Sequence, residues 1–196
     1  MTFDELVDEV YIITNRPDLV AETKSAVKAA TLKAHKSDFY SKDIYETGIE
    51  FETATYNQSL DYISLISNFR AFKYLRRVTS ATDEAGLFFT ILTPDELLDA
   101  YGRNRTDVAY VAGRVLEIKS LVTFSQALLG CYVLPIVREG AYVSWVAEQY
   151  PYAIIHEAAR KIFKTNGQSE EANGQRELVS EEYIELRAGG LTDVGY

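Results

Sequence analysis

One cysteine, Cys131, stands in a chain of 196 residues, so no internal disulfide can form and no cysteine-based zinc site can be built. Histidine is almost as scarce, with His35 and His156 the two present. Apolar runs break well before the ~20 residues a bilayer span requires, and no membrane partner is expected. Met1-Thr2-Phe3-Asp4-Glu5 lacks the basic start and apolar stretch of a signal peptide, so synthesis in the cytoplasm is expected. Cations are the minority charge. Twenty Lys and Arg against 29 Asp and Glu leave −9, which argues against strong sequence-independent attraction of the whole molecule to nucleic acid. Solubility is the simple account of that acidity. With 47% hydrophobic residues and only 4 prolines, the composition is that of an ordinary packed protein. The length suits one domain, or one domain with a substantial insertion.

Local patterns give an element order. Thr2-Phe3-Asp4-Glu5 has the spacing of a capping box, followed by Leu6, Val7, Val10, Tyr11 and Ile13 at helical intervals. Asn15-Arg16-Pro17-Asp18 breaks that helix. Pro17 suits the first turn of a second one, predicted over about 17–36, whose Ala26, Ala30 and Ala34 form a narrow face open to close approach. From Tyr45 to Val137 the period changes to two: Ile49 and Phe51 alternate with Glu50 and Glu52, and Leu116 and Ile118 with Glu117 and Lys119. Further strands are predicted over 58–66, 72–80, 86–92, 107–112 and 123–133, with a hairpin turn at Ala112-Gly113. A short helix near 94–101 is expected from the capping box Thr93-Pro94-Asp95-Glu96, ending near Gly102. Helix returns over 144–187. Ile154, Ile155, Ala158, Ala159, Ile162 and Phe163 share a stripe that Gly167 stops, and Ser169-Glu170-Glu171 opens a last helix with Val179, Tyr183 and Leu186 on one face. Gly189-Gly190 is expected to end it, leaving 188–196 as a tail or arm. The fold class is therefore α+β: N-terminal helices (1–43) and C-terminal helices (144–187) make a helical core around a β-rich, antiparallel insertion (44–140) within a single domain, 1–196.

Candidate chemistry is sparse. His156-Glu157-Ala158-Ala159-Arg160 falls one residue short of a two-histidine zinc motif, with a cation where the second imidazole belongs. A polar face on a core helix accounts for it. Cys131 sits among Leu128, Leu129, Tyr132 and Val133, where a thiol is usually buried and inert. The paired carboxylates lie at helix starts or on exposed faces. No catalytic, cofactor or metal residue is assigned, and no cofactor is expected. Two basic stretches stand out: Lys24, Lys28, His35, Lys33 and Lys36 along the second helix, and Arg70, Lys73, Arg76 and Arg77 interleaved with Phe72 and Tyr74. They could contact phosphates or an acidic partner, although a solvated helix face and a half-wet strand explain them as well. Fourteen tyrosines beside one tryptophan lean towards a protein that makes contacts.

The order of several segments resembles the head-to-tail adaptor (connector, or head-completion) proteins of tailed bacteriophages. Those segments are Thr2-Phe3-Asp4-Glu5-Leu6-Val7, Asn15-Arg16-Pro17-Asp18-Leu19 with the Ala/Lys-rich helix through His35, and Phe39-Tyr40-Ser41-Lys42-Asp43. They continue with Thr93-Pro94-Asp95-Glu96-Leu97-Leu98-Asp99, Asp107-Val108-Ala109-Tyr110-Val111-Ala112-Gly113 and Tyr150-Pro151-Tyr152-Ala153-Ile154-Ile155-His156-Glu157-Ala158-Ala159. The likeness spans nearly the whole chain through loosely defined motifs. It implies a structural protein of the virion neck, in a homo-oligomeric ring that is commonly a dodecamer. Such a ring docks beneath the portal protein, contacts collar or tail proteins, and continues the DNA channel without sequence-specific binding. An acidic lining would let the genome slide. The resemblance carries over no catalytic residue. The terminal stretch with Leu191, Val194 and Tyr196 is the expected arm, and joins Lys24, Lys28, Arg70, Lys73, Arg76 and Arg77 as the expected contact surface. Competing readings are another virion position (collar or tail completion), a small hydrolase around His156, Glu157 and Cys131, and a nucleic-acid binder using residues 70–77.

Overall fold

The computed structural model describes residues 1–78, 86–98 and 103–192. The protein is α+β, with helices at both ends of the chain and strands between them. It divides into two compact units: Met1–Asp43 with Leu134–Tyr196, and Ile44–Val133. The β-rich stretch, expected over 44–140, thus ends as a unit at Val133.

In the helical unit α1 spans Phe3–Thr14, α2 Val20–Lys36, α4 Trp145–Gln149, α5 Pro151–Thr165 and α6 Ser169–Thr192. The capping box at α1 forms as read: Thr2 Oγ1 accepts from the Glu5 amide, and the Glu5 carboxylate accepts from the Thr2 amide. The start of α2 differs from expectation by three residues. Arg16 grips Asp18 through two 2.8 Å bonds, so Pro17 and Asp18 form a turn and Asp18 does not serve the helix terminus. α5 is the centre of this unit, packing against α1, α2 and α6. Its predicted stripe of Ile154, Ile155, Ala158, Ala159, Ile162 and Phe163 is wholly buried, and Ala26, Ala30 and Ala34 of α2 lie in the same core. Small residues on α2 let two helix backbones approach closely.

α6 corrects one expectation. The helix runs through Gly189-Gly190 to Thr192 and does not stop at them, so residues 188–192 are helical and no arm begins there. The glycines serve packing. A Cβ on Gly190 would stand 2.4 Å from the Tyr40 ring, and Gly189 lies against the Tyr150 hydroxyl. Val194 and Tyr196, the rest of the expected arm, lie outside the described residues, as does the side chain of Leu191.

The second unit is a five-stranded sheet of β1 (Ile44–Asp61), β2 (Phe69–Val78), β3 (Phe88–Leu92), β4 (Val108–Ala112) and β5 (Val115–Val133). β5 pairs with β1 on one edge, and on its other edge with β2 near 126–133 and with β4 near 115–119. Because β2–β3 and β3–β4 also pair, the sheet closes on itself around Leu75, Phe89, Leu116, Ile118 and Leu129. Its pairings are antiparallel except β3–β4, which is parallel. The turn read at Ala112-Gly113 is a two-residue hairpin, with Ala112 opposite Val115 and Gly113 at φ 65°.

Two sequence readings change here. The strand predicted over 58–66 is the end of the longer β1, followed by the single-turn helix α3 (Tyr62–Leu65), whose N-cap Asp61 accepts from the Ser64 amide. The helix near 94–101 is a 3₁₀ turn over Pro94–Glu96. Its capping box is intact, but the chain then folds back, with the Arg105 amide donating to the Leu97 carbonyl and Leu98 bridged to Asn104. Positions 99–102, like 79–80 of the predicted second strand, lie outside the described residues.

Opposed irregularities let β1 and β5 stay paired over their length. From Glu50 to Thr55 β1 advances five residues while β5 advances two, and from Phe124 to Lys119 β5 advances five while β1 advances two. Polar side chains, the buried Gln58 and Ser120 and the half-buried Asp107, pin both. Gln58 donates to the carbonyls of Thr53 and Phe124, and Asp107 Oδ1 accepts from the Leu121 amide and the Ser120 hydroxyl. The second bulge turns Leu121 and Val122 out to solvent.

Candidate functional site

α2, the turn after it and the start of α4 bring together four residues from two distant stretches of the sequence. His35 Nδ1 lies 2.7 Å from Asp43 Oδ1, His35 Nε2 lies 2.9 Å from Ser144 Oγ, and Trp145 Nε1 donates to the same Asp43 oxygen at 2.7 Å. With the proton on Nδ1, the ring donates to Asp43 and accepts from Ser144. Carboxylate, imidazole and hydroxyl in this order form the relay used by serine hydrolases. Here the constellation is internal: His35, Asp43 and Ser144 are 1%, 5% and 4% exposed. Ser144 Oγ is also the N-cap of α4, accepting from the Ala147 amide at 3.2 Å. The hydroxyl a substrate would need is therefore enclosed and engaged in holding α4. The network anchors α4 and Trp145 to the end of α2, and Trp145 also meets the rings of Tyr40 and Tyr150 edge-on. His35, read as part of a basic helix face, is a core residue.

A second buried charge lies on α5. Glu157 accepts two bonds from Arg160, at 2.7 and 3.0 Å, and pairs with Lys33 at 2.8 Å. Burial pushes its carboxyl up, but the bonds from Arg160 and Lys33 outweigh that and hold it below the ordinary range. Lys33 also lies over the Tyr183 ring, 5.7 Å from its centroid. The Tyr183 hydroxyl is buried with no hydrogen-bond partner among the described residues, and burial raises it well above the usual phenol range.

Above this floor runs a groove of about 830 Å³ between α2 and α6. Among the described residues, Lys33, Lys36, Arg176 and Arg187 line it against one carboxylate, Glu177, and Ile184 stands in its wall. Arg187 donates to the Ser37 carbonyl at 3.4 Å across the groove. This is a cationic cleft on an acidic chain. Sequence reading noted Lys33 and Lys36 but missed Arg176, Arg187 and the cleft itself. A signal existed in the spacing of Arg176, Tyr183 and Arg187 on one side of α6.

The residues expected to make contacts fall into separate sets. Lys24 and Lys28 converge on Glu139, at 3.2 and 3.0 Å, all three part-exposed. Arg70, Lys73, Arg76 and Arg77 lie on β2 in the other unit. Lys73 covers the Tyr132 ring, and Arg77 donates to Ser120 at 3.0 Å beside Asp107. Much of this basic strand is thus committed within its own sheet. Tyr74, between them, donates to Glu46, and that bond pushes its hydroxyl up to about 12.

The residues weighed for hydrolysis are divided likewise. His156 hydrogen-bonds Gln175 at 2.8 Å and stacks on Tyr152. Cys131 belongs to the sheet unit, is buried, and has its thiol pushed up by that burial. Among the described residues no group of three or more His, Cys, Asp and Glu side chains could hold a metal ion, and no helix is long and apolar enough to cross a membrane. Comparison with protein-family models and with curated protein sequences finds no match to this chain.

Proposed function

We propose that this chain is a virion structural protein of a tailed phage: a head-to-tail adaptor that forms a ring in the neck, joins the portal to the tail, and continues the DNA channel. The order of its segments, from the capped first helix to the Tyr150–Ala159 stretch, motivates the reading. The observation that carries it furthest is the surface of the sheet unit, where Tyr56, Phe88 and Leu121 are 58%, 61% and 64% exposed. Large apolar and aromatic side chains held out to water are the material of protein interfaces. β pairing on both sides of the bulge holds Leu121 on the outside of the sheet. The net charge of −9 suits a ring through which DNA slides.

The test is binding of the purified chain to isolated portal rings, followed by imaging of virions that carry a labelled copy. Rings of this protein seated between portal and tail are the expected result. Binding to tail tips or collars without portal binding would favour another virion position. Complete, infectious particles made without the gene would overturn both.

A further inference from the structure

We propose that the cationic groove between α2 and α6 receives the acidic outer face of α1 from a second copy of this chain, joining copies head to tail. The inference rests on the ring reading for its direction. Its chemistry comes from the helical unit itself.

Charge is the first support. α1 carries Asp4, Glu5, Asp8 and Glu9 and no basic residue, with Asp4, Glu5 and Asp8 exposed and Glu9 half-buried. Asp4 and Asp8 stand one turn apart, as do Glu5 and Glu9, so the four carboxylates make two adjacent rows on one side of the helix. The groove offers four cations against Glu177, and Glu181, Glu182 and Glu185 of α6 are outside its lining. Lys33 shares its charge with the buried Glu157, which Arg160 also grips, and Lys36, Arg176 and Arg187 are the other cations of the lining. Complementary patches of this kind steer encounter and fix register.

An apolar centre is the second support. Ile12 continues the row of Asp4 and Asp8 and is 73% exposed, while Ile184 in the groove wall is 66% exposed. Neither isoleucine is covered by the described residues of its own chain. Each sits beside the charges that would form a polar rim around it. The groove is lined from Asn173 to Arg187 along α6, a stretch of about four helical turns, comparable with the roughly three turns of the twelve-residue α1. α1 and α6 are different elements packed on α5, so the contact uses unlike patches on the two copies. Contacts of that type propagate and close into rings when the rotation permits. One helix face is smaller than the roughly 800 Å² per partner of a stable complex, so the contact in free solution is weak and weakens further with salt.

Cysteine trapping in the full chain tests this, since buried Cys131 offers no competing surface thiol. A chain carrying both Ile12→Cys and Ile184→Cys should give a ladder of covalent multimers under mild oxidation at low salt and high protein concentration. Each single substitution should give no more dimer than the unsubstituted chain. Adding Arg176→Glu and Arg187→Glu should reduce the ladder by about tenfold, as loss of complementary charge does at such contacts, and adding Asp4→Lys and Asp8→Lys to that variant should restore it. No ladder, cross-linking by either single variant alone, or indifference to charge reversal would each overturn the docking. Portal binding is measured beside it. Portal binding without a ladder removes the docking and keeps the neck reading, whereas a ladder without portal binding removes the neck reading and keeps the docking. If Arg176→Glu abolishes portal binding and leaves the ladder intact, the groove faces the portal and the docking is wrong.

Discussion

Two glycines of α6 separate the cost of flexibility from the need for space. Gly174 is exposed, and a Cβ there meets nothing within 4 Å. Gly174→Ala should therefore stabilise the protein by about 0.5–1 kcal/mol through helix propensity. Gly190 is buried, and its Cβ would stand 2.4 Å from the Tyr40 ring. Gly190→Ala forces that ring out of a packed core and should cost about 1–3 kcal/mol. Urea denaturation of both variants reads the two signs. Glu157 makes a prediction in pH. Its carboxyl sits below the ordinary value of 4.5 when folded, so its contribution is fully present above that value and fades as pH falls through the folded value. Glu157→Gln should destabilise by about 1–3 kcal/mol near neutrality, for a buried acceptor that loses charged donors. The gap between the two proteins should narrow below pH 4.5. A gap that stays constant into acid would mean that Lys33 and Arg160 do not hold the carboxylate.

Two capping boxes show what an element needs beyond its start signal. Thr2 and Glu5 open a 12-residue helix, while Thr93 and Glu96 open a single turn, although both boxes have their reciprocal bonds. The difference lies in the residues beyond each cap. Leu6, Val7 and Val10 enter the helical core, whereas no residue of the 3₁₀ turn is buried. Packing, more than a cap, sustains a short helix. Thr2→Ala should accordingly cost about 1 kcal/mol, and Thr93→Ala only a few tenths, as for a surface change. Thermal unfolding of the two variants gives the comparison. The same logic sets how far the elements were legible. Periodicity found α1, α5 and the alternating parts of β1 and β5, because burial follows local spacing there. It could not show that β1 and β5 are continuous, since the bulges at 51–54 and 120–123 shift the phase of alternation. Gly189-Gly190 read as a stop because the rings of Tyr150 and Tyr40 that require glycine lie far away in sequence. The His35–Asp43–Ser144 network was equally hidden: its members are 8 and 109 residues from His35. The groove depends on which sides of α2 and α6 meet, and a single helix pattern does not contain that.

The chain enters and leaves its sheet through neighbouring strand ends, because Ile44 pairs with Tyr132 across β1 and β5. Each unit also has a hydrophobic cluster of its own. One is built on Leu6, Val27, Ile154 and Leu186, the other on Leu75, Leu116, Ile118 and Leu129. A helical protein that accommodates an excursion at one point, with both ends close together, pays little for it in chain entropy. The anchors of the helical unit lie outside the excursion: His35, Asp43, Ser144 and Trp145 all fall in residues 1–43 or 134–196. Replacing 44–133 by a short Gly/Ser linker should thus leave a helical protein that unfolds cooperatively. Circular dichroism of that variant should show strong helical bands, and Trp145 fluorescence should report one sharp transition in urea. The exposed side chains Tyr56, Phe88 and Leu121 leave with the sheet. The shortened chain should therefore lose whatever contacts they make in an assembly while retaining those made by α1, α2 and α6. A molten, non-cooperative product would mean that the helical core depends on the sheet for its order. The two clusters would then act as one folding unit.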